Sequence, residues 1–352
     1  MKIQQLLGFA LIVSNIPNAA DAELMIGGYP PSGSSNHPIS QFSASSQGNA
    51  APIRQIAGAM TQLNGPANIS YEPVEGVLYV SDFWGQAIRV FPAFASGDSA
   101  PLRIINPPIL GQPRANVPLP SQDELVVIGS NCCIFTFPLH ASGSSVAMVR
   151  SINWGGIPGS VTELNNPSFL TWIPGSDELA VVDYDFNPPY AAKVVFHART
   201  AQGNATPTRV LKSANTANAS GLAHDPVNHK LYVVTYSTID DLNSAAQVRV
   251  FAENASATDA PLYTIEGPST QLGFASQNYP TGIGIDLPLH RLMVAIGANG
   301  DPSGNRVVSF DLDATGDAVP VQVLMGTSLS EGTVGVPFAV PVDPLFANGF
   351  ES

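Results

Sequence analysis

The segment VFPAFASGDSAPLRII, from Val90 to Ile105, decides the fold because closely similar segments recur along the chain. Later copies read VVFHARTAQGNATPTRVL and VRVFAENASATDAPLYTI, and each joins an apolar strand to a short second strand. The turn between them is rich in Gly, Asn and Asp, which suit positions with positive φ or with side-chain bonds to the backbone. The phenylalanine that ends the first strand occurs in six copies, at Phe42, Phe91, Phe137, Phe196, Phe251 and Phe310.

A second motif keeps the same period. It reads VLYVSD or KLYVVT, and its leucine falls at Leu24, Leu78, Leu125, Leu179, Leu231 and Leu292. A third apolar segment, such as ANISYE or SFLTWI, precedes most copies. Each repeat of 46 to 61 residues therefore predicts four short strands, which we name A to D in chain order.

Six repeats of four antiparallel strands predict an all-β, six-bladed β-propeller. From Glu23 the chain supplies strands B, C and D of one blade, and VPFAVPVD (336–343) supplies a candidate strand A. We therefore predict that the N- and C-terminal strands close the last blade, which protects its edges. The predicted propeller spans residues 23–343, and residues 344–352 form a short C-terminal tail.

The N-terminus predicts export. Lys2 precedes the short apolar run LLGFALIV (6–13), and ADA (20–22) provides a small-residue cleavage site. Residues 1–22 therefore read as a cleaved signal peptide, which predicts a periplasmic or secreted protein without membrane insertion. The formal net charge of −13 disfavours nucleic acid as a partner, because an acidic surface repels phosphates. We expect a monomer.

Two segments carry a resemblance to a known group of proteins. YPTGIGIDLPLHRLMVA (279–295) and LYVSDFWGQAIRVF (78–91) resemble the six-bladed propellers of the NHL-repeat and SMP-30/gluconolactonase-like group. The resemblance extends over nearly all of the chain after residue 22. It implies the fold, but propellers support many unrelated activities, so function has to be argued from the site.

The propeller geometry predicts two unlike faces. The B-to-C and D-to-A connections form one face, which we call the long-loop face, and the A-to-B and C-to-D turns form the short-turn face. Long, varied loops such as DYDFNPPYAA (183–192) favour binding on the long-loop face. The candidate ligand-binding residues there are Asp82, Phe83, Trp84, Tyr184, Phe186, Tyr190 and Tyr279. Alternatively, the aromatic side chains only cover the rim of the ring.

A calcium site is a second possibility on this face, because Ca²⁺ takes six to eight oxygen ligands. In the gluconolactonase-like group, carboxylates and amide oxygens hold a divalent cation at the channel mouth. The resemblance implies Asn68, Asn116, Asp82 and Asp183 as candidate ligands. The alternative is that these side chains cap turns and bond to their own backbone.

The histidines and cysteines limit the catalytic mechanisms that the sequence supports. His140, His197, His224, His229 and His290 are predicted at turns of the short-turn face, which disfavours a serine-hydrolase or zinc mechanism. Cys132 and Cys133 are adjacent, and their short Cα separation favours a reduced pair over a disulfide.

We therefore predict a non-catalytic scaffold that binds protein, peptide or glycan through the long-loop face. The alternative is a Ca²⁺-dependent lactonase in which Asp183 or Asp185 serves as the base.

Overall fold

The computed structural model describes residues 23–29, 38–129, 132–153, 160–185, 191–236, 246–272, 278–298, 304–326, 329, 333–334 and 338–340. The predicted signal peptide, the predicted tail, Phe186 and Tyr190 lie outside these ranges. No helix among the described residues is long and apolar enough to cross a membrane.

The described residues form six four-stranded antiparallel sheets, arranged as the blades of a β-propeller. Blade 1 contains Phe338–Val340 (A), Glu23–Ile26 (B), Ile39–Ser43 (C) and Arg54–Ile56 (D). Blade 2 contains Pro66–Glu72, Val77–Asp82, Ala87–Pro92 and Arg103–Ile105. Blade 3 contains Ala115–Leu119, Glu124–Gly129, Cys133–Pro138 and Arg150–Ile152. Blade 4 contains Pro167–Ile173, Glu178–Asp185, Ala191–Ala198 and Arg209–Leu211. Blade 5 contains Ala219–Asp225, Lys230–Tyr236, Ala246–Ala252 and Tyr263–Ile265. Blade 6 contains Asn278–Asp286, Arg291–Ala298, Arg306–Asp311 and Gln322–Met325.

The smaller elements lie in the connections. A two-stranded sheet pairs Gly28–Tyr29 with Thr333–Val334. Short 3₁₀-helices span Ala59–Thr61, Pro108–Leu110, Pro120–Gln122 and Pro268–Thr270. Three of these four follow a strand D, so they lie in the D-to-A connections that cross from one blade to the next.

Both ends of the propeller meet in blade 1. Leu24 pairs with Ala339 on one side and with Phe42 on the other, so the C-terminal strand completes the N-terminal sheet. The predicted closure is thereby confirmed. Because Phe338–Val340 supplies strand A, strand B of blade 1 is paired on both sides.

Strands B and C carry the core. In blade 2 all six residues of strand B are buried, and its Leu78 lies opposite Phe91 of strand C. Such Leu–Phe pairs recur in five blades, which explains the period of the two sequence motifs. Burial of a large apolar side chain stabilises the fold by about 1.5–3 kcal/mol.

Blade 4 departs from this rule and corrects the sequence alignment. Leu179 lies opposite His197, and Phe196 is one residue out of register, opposite Ala180. His197 therefore belongs to strand C and is fully buried; its predicted place in a C-to-D turn was wrong. The alignment was misled because a phenylalanine, Phe196, directly precedes His197 in the sequence.

The recurrent turn joins each blade to the next. Gly97 has φ 65°, donates its N–H to the Gln55 carbonyl and accepts a bond from the Ala57 N–H. The following Asp98 accepts a 2.6 Å bond from the Met60 N–H, at the start of a 3₁₀-helix. Equivalent bridges occur six times around the described ring, at Gly48, Gly97, Gly143, Gly203, Ala257 and Gly316. The repeated turn sequence therefore forms the backbone contact that joins each blade to the next.

Ion pairs reinforce the blade junctions on the short-turn face. Glu124 of blade 3 accepts bonds from Arg150 of its own blade and from Arg199 of blade 4, each at 2.7 Å. Arg209 of blade 4 pairs with Glu178 and also donates to the Ala255 carbonyl of blade 5. These partly buried, multiply bonded pairs resist salt better than isolated surface pairs.

Candidate functional site

The A strands of blades 2 to 6, which are the inner strands of the propeller, surround a central cavity of about 220 Å³. Its wall combines apolar side chains with the polar side chains of Asn68, Ser70, Asn116, Thr171 and His224. Asn68 and Asn116 line it, and His224 lies near the end of its own inner strand. Among the described residues that line the cavity, neither Asp82 nor Asp183 appears. The four candidate calcium ligands thus divide into a cavity pair and two carboxylates at the ends of strands B.

The two asparagines bond to each other. Asn116 Nδ2 donates to Asn68 Oδ1 at 3.2 Å, to the Tyr79 carbonyl at 3.1 Å and to Ser81 Oγ at 2.9 Å. Asn68 Oδ1 also accepts the backbone N–H of Asn116. A cation would have to compete for the Asn68 oxygen, whereas Asn116 Oδ1 is buried and has no hydrogen-bond partner.

Asp82 belongs to a balanced group of three side chains, which we call the Asp82 cluster: Asp82, Arg89 and Gln62. Asp82 Oδ1 accepts the Asn64 N–H at 2.8 Å, and Oδ2 accepts Arg89 Nε at 2.6 Å. Arg89 Nη1 reaches Gln62 Oε1 at 3.5 Å. Burial raises the pKa of Asp82, although the guanidinium opposes that shift. One carboxylate and one guanidinium cancel, so the cluster is neutral.

Asp183 occupies the same place in blade 4. Asp82 pairs with the first residue of strand A in blade 2, and Asp183 does so in blade 4. Asp183 Oδ1 accepts the backbone N–H groups of Asn165 and Asn166 at 2.8 and 2.9 Å, as Asp82 Oδ1 does from Asn64. Both carboxylates therefore fix the end of a D-to-A connection to strand B.

The Oδ2 atoms of Asp82 and Asp183 have different surroundings. Arg89 lies opposite Val80 in blade 2, and the same register in blade 4 places Val195 opposite Val181. Valine has no donor, and Asp183 Oδ2 is buried without a hydrogen-bond partner. Burial raises the pKa of Asp183 to about 6. The internal cation that satisfies Asp82 is thus replaced by an apolar side chain in blade 4.

A lysine takes only part of that role. Lys193 is the cross-strand partner of Asp183, but its Nζ bonds to Glu163 Oε2 at 2.6 Å. The lysine side chain is 3% exposed and the glutamate side chain 51%. The hydrogen bond from Lys193 holds the pKa of Glu163 below its usual value. Asp183, Lys193 and Glu163, which we call the Asp183 cluster, thus combine two carboxyl groups with one ammonium.

Sequence reasoning missed Glu163 and Lys193. Glu163 corresponds to Gln62, since both have a left-handed backbone (φ 58° and 56°) at the same distance before the bonded strand A. A comparison of blades 2 and 4 finds this correspondence from the shared Asp of strand B. Alignment on Phe196 shifts strand C by one residue and hides the correspondence of Val195 with Arg89.

The candidate aromatic residues have different environments. Phe83 is buried and makes an edge-to-face contact with Trp84, with ring centroids 4.9 Å apart. Tyr184 is half-buried and packs against the apolar cluster shared by blades 4 and 5. Tyr279 lies in strand A of blade 6. Phe83 thus packs the rim, whereas Trp84 and Tyr184 keep part of their surface on the long-loop face.

The adjacent cysteines form a disulfide, Cys132–Cys133, which corrects the expectation of a reduced pair. Asn153 fixes this segment: its Nδ2 donates to the carbonyls of Cys132 and Leu164, at 3.0 and 3.1 Å. The disulfide is therefore tied to the connection that leads into blade 4. Sequence separation disfavours such a bond, but the turn at the entry to strand C accommodates it.

The described histidines bond to carboxylates or to the backbone. His224 Nε2 lies 2.6 Å from Glu253 Oε2, and His229 Nδ1 lies 3.2 Å from the other oxygen of Glu253. His290 lies beside two exposed aspartates of blade 6. His197 Nε2 donates to the Thr162 carbonyl at 3.0 Å. None of these contacts joins a histidine to a described serine or cysteine nucleophile.

Comparisons with known proteins place the fold but not the family. No family model matches the sequence, and no curated protein matches it. One chain of a crystal structure of a nidogen/laminin complex is similar in structure, with a TM-score of 0.60 and 13% identity, and the match covers 90% of this chain and 98% of that chain. A Bacteroides uniformis protein assigned as a 6-phosphogluconolactonase is also similar, with a TM-score of 0.51 and 12% identity. That match covers 91% of this chain and all of the other. At such identities the similarity shows the propeller fold alone.

Proposed function

We propose that this protein is an exported, non-catalytic scaffold that binds a protein, peptide or glycan through its long-loop face. The observation that carries the proposal is the internal use of two of the four candidate metal ligands. Asn68 accepts two bonds from Asn116, and Asp82 is paired with Arg89. A metal-dependent enzyme would need these oxygens free, and exposing Asp82 would leave a buried guanidinium unpaired.

The contrast between the faces supports the same proposal. Ion pairs occupy the short-turn face, where Glu124 binds Arg150 of its own blade and Arg199 of the next blade. The long-loop face instead carries connections of unequal length and the half-buried Trp84 and Tyr184. Variable loops on a rigid ring are suited to binding. One of the similar solved structures is a protein–protein complex, in keeping with this use of the fold.

A Ca²⁺-dependent lactonase is the second candidate, and one specific observation favours it. Asn116 Oδ1 and Asp183 Oδ2 are buried oxygens without hydrogen-bond partners. Both belong to the set that the gluconolactonase-like resemblance implies. In that function Ca²⁺ would polarise a lactone carbonyl, with Asp183 or Asp185 as the base. The other similar structure, assigned as a 6-phosphogluconolactonase, is in keeping with this candidate.

The first experiment compares thermal unfolding of the protein in EDTA and in millimolar Ca²⁺. Ligand binding to the native state raises the unfolding temperature with ligand concentration. We expect no shift and no hydrolysis of δ-lactones. An upward shift that is lost in an Asn116→Ala variant, together with lactone turnover, would replace the scaffold proposal by the lactonase.

The second experiment locates the binding face. Peptide and glycan arrays are probed with the wild type, Trp84→Ala, Tyr184→Ala and the control Val74→Ala, whose side chain is exposed on the short-turn face. We expect a ligand whose affinity falls about tenfold with either aromatic variant, as for aromatic anchors in other interfaces. Equal losses from Val74→Ala would contradict binding at the long-loop face.

A further inference from the structure

Blades 2 and 4 place an aspartate in the same position of strand B but surround it with different charges. In each, an aspartate near the end of strand B uses Oδ1 to bind the backbone of a D-to-A connection. Because Oδ1 makes the same contact in both, Oδ2 of Asp183 corresponds to the oxygen of Asp82 that accepts Arg89 Nε. Blade 2 therefore shows, within one chain, which chemical group fits beside this oxygen.

The group is missing from blade 4. Val195 stands where Arg89 stands, and the nearby Lys193 bonds to Glu163 rather than to Asp183. The Asp183 residue is 0% exposed, and its Oδ2 has no hydrogen-bond partner. A buried carboxylate without a donor is costly, and burial is normally accompanied by pairing.

Charge counting gives the same result. The Asp82 cluster has one carboxylate, one guanidinium and a neutral amide. The Asp183 cluster has two carboxyl groups and one ammonium, because Glu163 replaces Gln62. Asp185 adds a further negative charge that acts on both Asp183 and Glu163. The cluster is one positive charge short.

Access comes from the side of the D-to-A connection. In blade 2 the guanidinium of Arg89 extends from the buried Asp82 to the exposed Gln62. In blade 4 the corresponding outer residue, Glu163, has a side chain that is 51% exposed. A flat guanidinium can bond to a carboxylate through two N–H groups, and its geometry suits a site lined by carboxylates.

We propose that the Asp183 cluster binds a guanidinium or ammonium group of the ligand, which takes the place that Arg89 fills in blade 2. The inference rests on the proposed function and names the chemistry of its partner: a peptide or protein segment that presents Arg or Lys to the long-loop face. Glu163 meets the cationic group at the surface, and Asp183 bonds to its inner end.

The test uses calorimetric titration of the protein, expressed from the full-length chain, with an arginine hexapeptide. The glutamine hexapeptide is the probe control. Variants are Glu163→Gln, which reproduces the neutral residue of blade 2, and Asp183→Asn. Asp123→Asn, on the short-turn face, is the control variant. We expect the arginine peptide to bind, with an affinity that falls at least about tenfold in Glu163→Gln and Asp183→Asn and not in Asp123→Asn.

Glu163→Gln and one further variant, Val195→Arg, keep the result interpretable. Glu163→Gln changes a half-exposed side chain, so it decides the test even where Asp183→Asn reduces folding. Val195→Arg supplies an internal guanidinium at the position of Arg89, and we expect it to abolish peptide binding while both acids remain. Binding that Val195→Arg leaves intact in a folded protein would overturn the proposed geometry.

The other outcomes overturn the inference in distinguishable ways. Equal affinity for the arginine and glutamine peptides, or no binding of either, rejects a cation site, and the arrays on the aromatic variants then judge the scaffold function separately. Release of the arginine peptide by micromolar Ca²⁺ alone would assign the missing charge to a metal ion instead. Failure of both the arrays and the peptides would reject the scaffold proposal itself.

Discussion

Blades 2 and 4 have the same strands, the same inter-blade bridge and an aspartate at the same place, yet they differ at the positions around it. Blade 2 surrounds Asp82 with Arg89 and Gln62, and packs Phe91 opposite Leu78. Blade 4 surrounds Asp183 with valine and glutamate, and places His197 opposite Leu179. The backbone role of the aspartate is kept in both, while its charge is neutralised in one.

The comparison separates the two oxygens of the aspartate: Oδ1 makes the same backbone contact in both blades, whereas the partner of Oδ2 differs. Both aspartates are needed to bind the free N–H groups of a D-to-A connection. Only Asp183 leaves an oxygen unpaired, together with a buried histidine whose Nδ1 has no hydrogen-bond partner. Natural proteins pair nearly all such groups, and exceptions concentrate at functional sites. Blade 4 is therefore where we propose that the ligand binds.

The largest effect is expected from breaking the balanced cluster. Arg89→Met removes the cation from Asp82, and we expect a loss of about 3–5 kcal/mol in the free energy of unfolding at pH 7, because a buried carboxylate is left without its partner. Urea denaturation measures the change. The double variant Arg89→Met/Asp82→Asn should recover part of it, and a loss below about 1 kcal/mol would show that Asp82 does not depend on Arg89.

In blade 4, removal of the aspartate charge is expected to stabilise the fold. The pKa of Asp183 is about 6 in the folded protein and 3.8 without perturbation. A raised carboxyl pKa destabilises the fold above the folded pKa, and the penalty disappears as the pH falls below the unfolded value. Asp183→Asn should therefore be more stable than the wild type by about 1–3 kcal/mol at pH 7.

The pH dependence is the check on this prediction. The advantage of Asp183→Asn should shrink as the pH falls from 7 to 4, because the folded carboxyl takes up its proton in this range, and it should vanish below pH 3.8, where the carboxyl is protonated in both states. Asp82→Asn is the control, because it exposes Arg89 as an unpaired cation and should destabilise the fold. A stability difference for Asp183→Asn that stays constant with pH would mean that Asp183 has a normal pKa.

His197 also makes the free energy of unfolding depend on pH in this range, but it destabilises the fold as the pH falls. Burial lowers its pKa from 6.5, so it remains neutral in the fold while the unfolded chain takes up a proton. Its contribution to stability is present above pH 6.5 and is lost as the pH falls. His197→Phe restores the Leu–Phe pair of the other blades.

We therefore expect the stability of His197→Phe relative to the wild type to increase on acidification below pH 6.5, by up to about 1 kcal/mol per pH unit. Thermal or urea unfolding between pH 7.5 and pH 5 measures it, with Phe91→Leu as a variant that changes packing without a titrating group. A relative stability that is independent of pH would show that His197 is solvated or already charged.

The fold was largely predictable from the sequence, and the site only in part. The repeated turn glycines and the Leu–Phe pairs reflect backbone geometry and core burial, which impose a period that a single sequence displays. The closure of blade 1 followed from the missing strand A. Asp82 and Asp183 were identifiable as acids after strand B, whereas the Arg89, Val195 and Glu163 that distinguish them lie in other elements.

The missed residues share a physical cause. Glu163 is in a D-to-A connection and Lys193 in strand C, 30 residues apart, so only the folded sheet brings them together. The shift of one residue at His197 hid the register of blade 4. The Cys132–Cys133 disulfide depends on a local turn geometry, which spacing arguments alone disfavour.

The smallest effect concerns the feature that the two blades share. Gly97 and Gly203 both have φ 65° in their inter-blade bridges, and a Cβ added to either would meet no atom within 4 Å. Substitution by alanine therefore costs only backbone strain in the left-handed region, about 1 kcal/mol. Gly97→Ala and Gly203→Ala should lower the free energy of unfolding equally, because the bridge is independent of the charges nearby.

Ala257 provides the matched reverse change, since it occupies the equivalent bridge with φ 50°. Ala257→Gly should stabilise the protein by about 0.5–1 kcal/mol, because relief of strain exceeds the added entropy of the unfolded chain. Urea denaturation at pH 7 measures all three variants. A much larger loss for Gly203→Ala than for Gly97→Ala would mean that the bridge into blade 4 is coupled to the Asp183 cluster, so that the two blades differ in their junctions as well as in their charges.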